Sequence, residues 1–310
     1  MSSIDIFFEP ESIAIIGASR VPGEIGYEIL KNVKRSFKGQ IYPINPEVTE
    51  IENLTTYNSI SSIEKPIDLA IIITNAKEVS SNLTECTKND VKAVIIVSSG
   101  FSDKLLTKLD EQIKNIRKSH KMRIMGPNSL GLYCNTLDML YLPKERLKRP
   151  EEGYISFITQ SGAIGATLMD LASGEGIGIN KFIALGNNID VNEIEMLEYL
   201  GNDMQTRCIA MYIESTQHGK ELIEHAKKII KNKPIIILKA GKGERGAIAA
   251  EAHSHHHVSL SKIYSAAFEQ AGIIEAKSTD ELFNYAKSLA NQPILKNNKT
   301  LNYIQINISN

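Results

Sequence analysis

Lys233–Phe268 reads KPIIILKAGKGERGAIAAEAHSHHHVSLSKIYSAAF. Ile235 to Lys239, an apolar run closed by a lysine, reads as a buried strand, and the chain breaks at Gly241 and Gly243. Small residues then lead into His253, followed by His255, His256 and His257, and an amphipathic helix is expected from about Ser259. An apolar strand that empties into a glycine-broken loop carrying an imidazole is how an α/β sheet presents a reactive side chain at its carboxyl edge. His253 is therefore the residue around which the remaining chain is read.

Upstream, the same strand–helix alternation recurs. Ile13–Gly17, Gln40–Asn45, Asp68–Thr74, Val91–Ser98 and Met122–Gly126 read as strands. Helices are expected from Glu24, near Lys77–Lys88 and over Asp103–Ser119. Continuous Ile/Val runs, as opposed to alternating ones, imply strands covered on both faces and hence a parallel sheet. The polar stretch 46–63 reads as loop. A charged, proline-bearing segment, 142–152, reads as a linker between a first domain at 1–141 and a second at 153–291. The second series has strands at Tyr154–Ile158, Lys181–Leu185, Arg207–Glu214, Pro234–Lys239 and Ile273–Ala276, which fit a flavodoxin-like parallel sheet. Residues 292–310 read as a short tail, with no third domain expected after it.

With 310 residues, two domains can each bury a core. The 42% hydrophobic and 23% charged fractions are those of an ordinary globular protein. A net charge of -1 gives no electrostatic footprint for nucleic acid or an anionic membrane, and neither is expected as a partner. Three cysteines, odd in number and far apart, argue against a disulfide framework, and without CxxC spacing thiolate metal binding is not expected. The start, MSSIDIFFEPES, lacks the basic n-region and apolar h-region of a signal peptide, so a cytoplasmic location is expected.

Several motifs carry chemistry. Gly17, Ala18 and Ser19, with Gly23 and Gly26, follow a strand and open a helix, a setting in which backbone approaches a diphosphate. The same glycines also suit plain strand–helix packing. A dinucleotide site would want an acidic residue at the tip of the second strand. That tip is Asn45-Pro46, with Glu47 just beyond, while Arg20 is placed to meet an extra phosphate. Ser99 and Gly100, after the fourth strand, are a further candidate wall, and Asn128 stands in a Pro-Asn turn after the fifth. In the second series, Ser161 and Gly162 begin a helix whose N–H groups suit an anion, although Ser161 serves equally as a simple N-cap. A nucleophile-elbow reading fails because GxSxG lacks its leading glycine here. Glu214 ends a strand, where a carboxylate can fix the tautomer of an imidazole; it also reads as a surface glutamate. The histidine run lacks helical i, i+4 spacing, so no metal site is assigned.

In their order these pieces resemble the nucleoside-diphosphate-forming acyl-CoA synthetases, the superfamily of the succinyl-CoA synthetase α-subunit, and within it the ADP-forming acetate–CoA ligases. The carrying stretches are IAIIGAS with PGEIG (13–26), IYPINP (41–46), SSGFS (98–102), MGPNSLGLYCN (125–135), FITQSGAIGA (157–166), MYIES (211–215) and KAGKGERGAIAAEAH (239–253). The resemblance implies a Rossmann-like CoA-binding domain followed by a flavodoxin-like domain. It implies CoA at Gly17, Ala18, Ser19, Arg20, Gly23, Gly26, Asn45, Pro46, Ser99, Gly100 and Asn128. It further implies that His253 is transiently phosphorylated, that Glu214 orients it, and that Ser161 and Gly162 receive the phosphate. An ATP-grasp β-type subunit would bring Mg and ADP or ATP, a small acyl acid would be the other substrate, and an oligomer is expected. The family reads SHTG where this chain has AHSHHHV. Two other readings stay open: a non-catalytic CoA-binding regulatory or scaffold protein, and an NAD-binding oxidoreductase.

Overall fold

A computed structural model describes residues 4–142, 145–241 and 261–292. Among these, two large sheets dominate. The first half builds β1 (Ser12–Ile16), α1 (Ile25–Ser36), β2 (Gln40–Ile44), the short hairpin β3 (Glu50–Ile51) and β4 (Leu54–Thr55), β5 (Leu69–Ile72), α2 (Val79–Lys88), β6 (Ala93–Ile96), α3 (Asp103–Ser119) and β7 (Arg123–Met125). The order β2-β1-β5-β6-β7 is parallel throughout. Every residue of β1, β5 and β6 is buried, as their unbroken apolar runs demand. The 46–63 stretch, expected as loop, carries β3, β4 and one 3-10 turn at Ile60–Ser62, tied to β2 through a bridge between Ile44 and Tyr57.

The second sheet has the order β14-β13-β12-β10-β11-β8-β9. Its strands are β8 (Gly131–Cys134), β9 (Leu137–Asp138), β10 (Glu152–Thr159), β11 (Ile179–Ala184), β12 (Cys208–Ile213), β13 (Ile235–Lys239) and β14 (Ile274–Ala276). Helices α4 (Gly162–Gly174), α5 (Glu193–Asn202), α6 (Gly219–Ile229), α7 (Ser261–Ala271) and α8 (Thr279–Asn291) cover it. The five expected strands form its parallel core. The sheet is mixed, however, because β8 runs antiparallel to β11 and β9 antiparallel to β8. Residues 131–138, upstream of the charged 142–152 segment, thus belong to the second sheet. Its described residues include fixed points: Arg149 is bonded to the Asp138 carboxylate at 2.7 Å and to the Leu142 carbonyl at 2.9 Å, and Leu147 is buried.

The two sheets share one apolar cluster, running from Ile13, Ile29 and Leu30 through Leu132 and Met139 to Ile183 and Ile237. Each fully buried Ile or Leu in it contributes about 1.5–3 kcal/mol from burial. Buried charge also crosses the junction. Arg123, 3% exposed on β7, meets Asp190 at 3.2 Å and Glu195 at 2.7 Å, and Arg117 meets Asp190 at 2.6 Å. Phe8 stacks on Tyr199 at 4.5 Å between centroids. No helix among the described residues is long and apolar enough to cross a membrane.

Candidate functional site

The two sheets meet where the turn after β7 packs against the turn after β11. After β1, Gly17 adopts φ 91 and stands so close to Thr74 that a Cβ would lie 3.1 Å from its Cγ2. Gly26, in the first turn of α1, has no room for any side chain, since a Cβ would lie 2.2 Å from the Gly17 carbonyl oxygen. The helix therefore seats directly on the loop. Ser19 donates to the Glu24 carboxylate and accepts the Val21 N–H at 3.0 Å. Glu24, the N-cap of α1, makes no side-chain capping bond to the helix. Asn45 braces the loop from the tip of β2: its Nδ2 donates to the Ala18 carbonyl at 2.8 Å, and its Oδ1 accepts the Glu47 N–H at 2.8 Å.

These residues line a crevice of about 740 Å³ that includes Gly17, Ala18, Ser19, Arg20, Asn45 and Pro46. Its lining also includes Glu78, the N-cap of α2, and Ser81, Asn82 and Glu85 on that helix. Burial raises the Glu85 carboxyl, but the Ser61 N–H and hydroxyl, both at 2.9 Å, outweigh it and hold the group below its ordinary value. Gly23, Gly26, Ser99, Gly100 and Asn128 do not line this crevice. Ser99 and Gly100 are exposed beyond β6. Asn128 adopts φ 61, donates its N–H to the Ser98 carbonyl at 3.0 Å, and sits at the junction with the second sheet. There the Asn187 N–H donates to the Pro127 carbonyl at 2.9 Å, and a Cβ on Gly186 would lie 2.2 Å from that oxygen.

At the second carboxyl edge, Ser161 is the N-cap of α4, its hydroxyl accepting the Ile164 N–H at 3.4 Å. The Thr159 hydroxyl accepts the Ser161 N–H at 3.1 Å and donates to the Ser161 carbonyl at 2.9 Å. Gly162 leaves the start of the helix open, with Leu130 at 3.7 Å from a built Cβ. Gln160 joins this corner to the next strand. Its Oε1 accepts the N–H groups of Glu214 at 2.7 Å and Ser215 at 3.2 Å, while its Nε2 donates to the Ser215 carbonyl at 2.9 Å. The turn after β10 that leads into Ser161 and the segment after β12 that carries Glu214 are thereby tied together. Reading the motif only for a nucleophile passes over Gln160; an amide at a strand exit, able to both donate and accept, was the available signal. Burial raises the Tyr212 phenol, with the nearby Glu214 carboxylate adding to the shift.

From β13 the Ala240 N–H donates to the Ile213 carbonyl at 2.9 Å, so the chain leaves β13 beside the strand end that carries Glu214. His253, and with it His255, His256 and His257, lies outside the described residues. Burial pushes the Cys86 and Cys208 thiols up to about 12, which leaves them unreactive at neutral pH.

A model described as a CoA binding domain matches residues 11–135, and one described as a succinyl-CoA ligase like flavodoxin domain matches residues 152–289. The ADP-forming acetate–CoA ligase II subunit alpha of Pyrococcus furiosus is 38% identical over 298 residues, covering 96% of this chain and 64% of that protein. The ADP-forming acetate–CoA ligase of Methanocaldococcus jannaschii is 40% identical over 290 residues, 94% of this chain and 41% of that one. A dinucleotide-forming acetyl-coenzyme A synthetase from Candidatus Korarchaeum cryptofilum, solved with phosphate and ADP, superposes with a TM-score of 0.87 at 34% identity, covering 96% of this chain and 64% of that one. The chain thus spans less than two thirds of the length of these relatives.

Proposed function

The chain belongs to the nucleoside-diphosphate-forming acyl-CoA synthetase superfamily, and on that premise we propose that it is the CoA-binding, phosphohistidine-carrying part of an ADP-forming acyl-CoA synthetase. The overall reaction is acyl-CoA + phosphate + ADP to acid + CoA + ATP, reversible at every step. CoA lies in the crevice of the first domain, with its diphosphate at the Gly17–Arg20 loop and the start of α1. A phosphate oxygen, held at the Ser161–Gly162 helix start, attacks the thioester carbonyl. The C–S bond breaks, CoA leaves as its thiol after taking up a proton, and acyl phosphate remains. A neutral ring nitrogen of His253 then attacks phosphorus, the P–O bond to the acyl group breaks, and the acid leaves as carboxylate. Glu214 accepts the other ring N–H and stabilises the cationic ring as it forms. The phosphoryl group passes to ADP on an ATP-grasp partner, which supplies Mg.

The observation that carries this reading is the Gln160 clamp, which holds a carboxylate-bearing strand end against an uncrowded helix N-terminus at one sheet edge. Release of CoA from acetyl-CoA on addition of phosphate tests it. The protein should form free thiol only when phosphate is present, and Ser161→Pro should stop that release while leaving CoA binding intact. Release that ignores phosphate would point to a hydrolase instead.

A further inference from the structure

We propose that the crevice of the first domain selects against a phosphate on the ribose of its ligand, and so holds the 3′-dephospho form of CoA more tightly than CoA. The inference rests on the CoA reading given above.

In a parallel sheet of this kind, the tip of the strand beside β1 meets the ribose of a bound nucleotide: a carboxylate there takes ribose hydroxyls, and a cation accommodates a ribose phosphate. The tip here is Asn45-Pro46-Glu47, and all three residues line the crevice. The Asn45 amide is engaged on both sides, with the Ala18 carbonyl and the Glu47 N–H. Glu47 itself is exposed. The lining adds Glu78 and Glu85, at the N-cap and within α2, and Glu24 from the loop. Glu85 is held ionised by Ser61, and Glu24 accepts the Ser19 hydroxyl. Among the described lining residues, the four carboxylates Glu24, Glu47, Glu78 and Glu85 stand against one guanidinium, Arg20, so the lining carries a net negative charge.

The chemistry of the two ligands differs only at the ribose. A phosphomonoester there carries close to two negative charges and meets Glu47 and the α2 carboxylates. A free hydroxyl donates a charge-assisted hydrogen bond to a carboxylate. One carboxylate acting on a dianion several ångströms away, in a solvent-exposed crevice, shifts binding by about three- to tenfold.

Titration calorimetry of the 310-residue protein with CoA, 3′-dephospho-CoA and NAD at low salt, and again at about 0.5 M salt, tests the proposal. The dephospho form should bind about three- to tenfold more tightly at low salt, and the gap should shrink at high salt. Glu47→Lys, a surface change with little consequence for folding, should reverse the order. CoA binding as tightly as its dephospho form, or a gap that survives both high salt and Glu47→Lys, would overturn the selectivity. Neither thiol binding, or NAD binding more tightly than both, would instead overturn the CoA reading beneath it.

Discussion

Replacing Gln160 by alanine removes a carboxamide that accepts at 2.7 Å and 3.2 Å and donates at 2.9 Å, all to the Glu214–Ser215 segment. Three neutral hydrogen bonds at about 1 kcal/mol each would cost about 3 kcal/mol, but Gln160 is only half-buried and water regains part of this, leaving about 1–2 kcal/mol. For a chain of this size, that lowers Tm by roughly 2–3 °C. The kinetic effect should be larger than the stability effect. Freed from its brace, Glu214 no longer stands at a fixed distance from the Ser161 helix start, and a displacement of about 1 Å at a reacting centre costs on the order of a hundredfold. Phosphoryl-adduct formation from acetyl-CoA and phosphate, followed by quench-flow with labelled phosphate, should slow about ten- to a hundredfold, with CoA affinity unchanged. Gln160→Glu keeps an acceptor but loses the donor and sets a second negative charge beside Glu214, so it should not rescue the rate. A folded Gln160→Ala protein that is labelled at the wild-type rate would refute the claim that this clamp positions Glu214.

Four further tests bear on the fold and its junction, the first two on steric and ionic contacts. Gly26→Ala drives a Cβ into the Gly17 carbonyl and should destabilise by about 1–3 kcal/mol, with CoA binding lost, as read by denaturant melts and calorimetry. Asp190→Asn removes one of the two carboxylates on buried Arg123, which keeps Glu195, together with the Arg117 ion pair, and should cost about 1.5–3 kcal/mol in the same melts. Burial raises the Asp203 carboxyl, but the Lys181 ammonium and Thr206 hydroxyl more than offset this and hold it below its ordinary 3.8. A depressed carboxyl stabilises fully above its unfolded value and loses that contribution as pH falls through the folded one, so Asp203→Asn should flatten the loss of stability below about pH 4. Native Cys86 and Cys208 should resist thiol reagents at about pH 8 and react only on unfolding; rapid native labelling would contradict their burial.

The parallel cores of both sheets were legible because strands covered on both faces must be apolar without alternation, as in Ser12–Ile16 and Ile235–Lys239. The antiparallel edge was not. Gly131–Cys134 is as buried as a parallel strand, and nothing in four residues after a Pro-Asn turn says which sheet receives them. The 142–152 segment looks like a free linker by composition, yet Arg149 is fixed by Asp138, eleven residues upstream, a pairing that local pattern cannot reveal. At the candidate site, the Gly17–Arg20 loop and the Asn45 tip were readable from their place after strands. The contribution of α2 was not, because nothing local in the sequence says that Glu78 and Glu85 line the same crevice as the end of β1.

The most direct test of the central claim is the chemical identity of the phosphorylated residue. After incubation with acetyl-CoA and phosphate, digestion at neutral to alkaline pH and mass spectrometry should find one acid-labile, alkali-stable phosphoryl group, on His253. It should vanish in His253→Ala and persist when His255, His256 and His257 are replaced together. A phosphoryl group that survives His253→Ala, or none with several acyl-CoAs even beside a competent ATP-grasp partner, would contradict a phosphohistidine function for this chain.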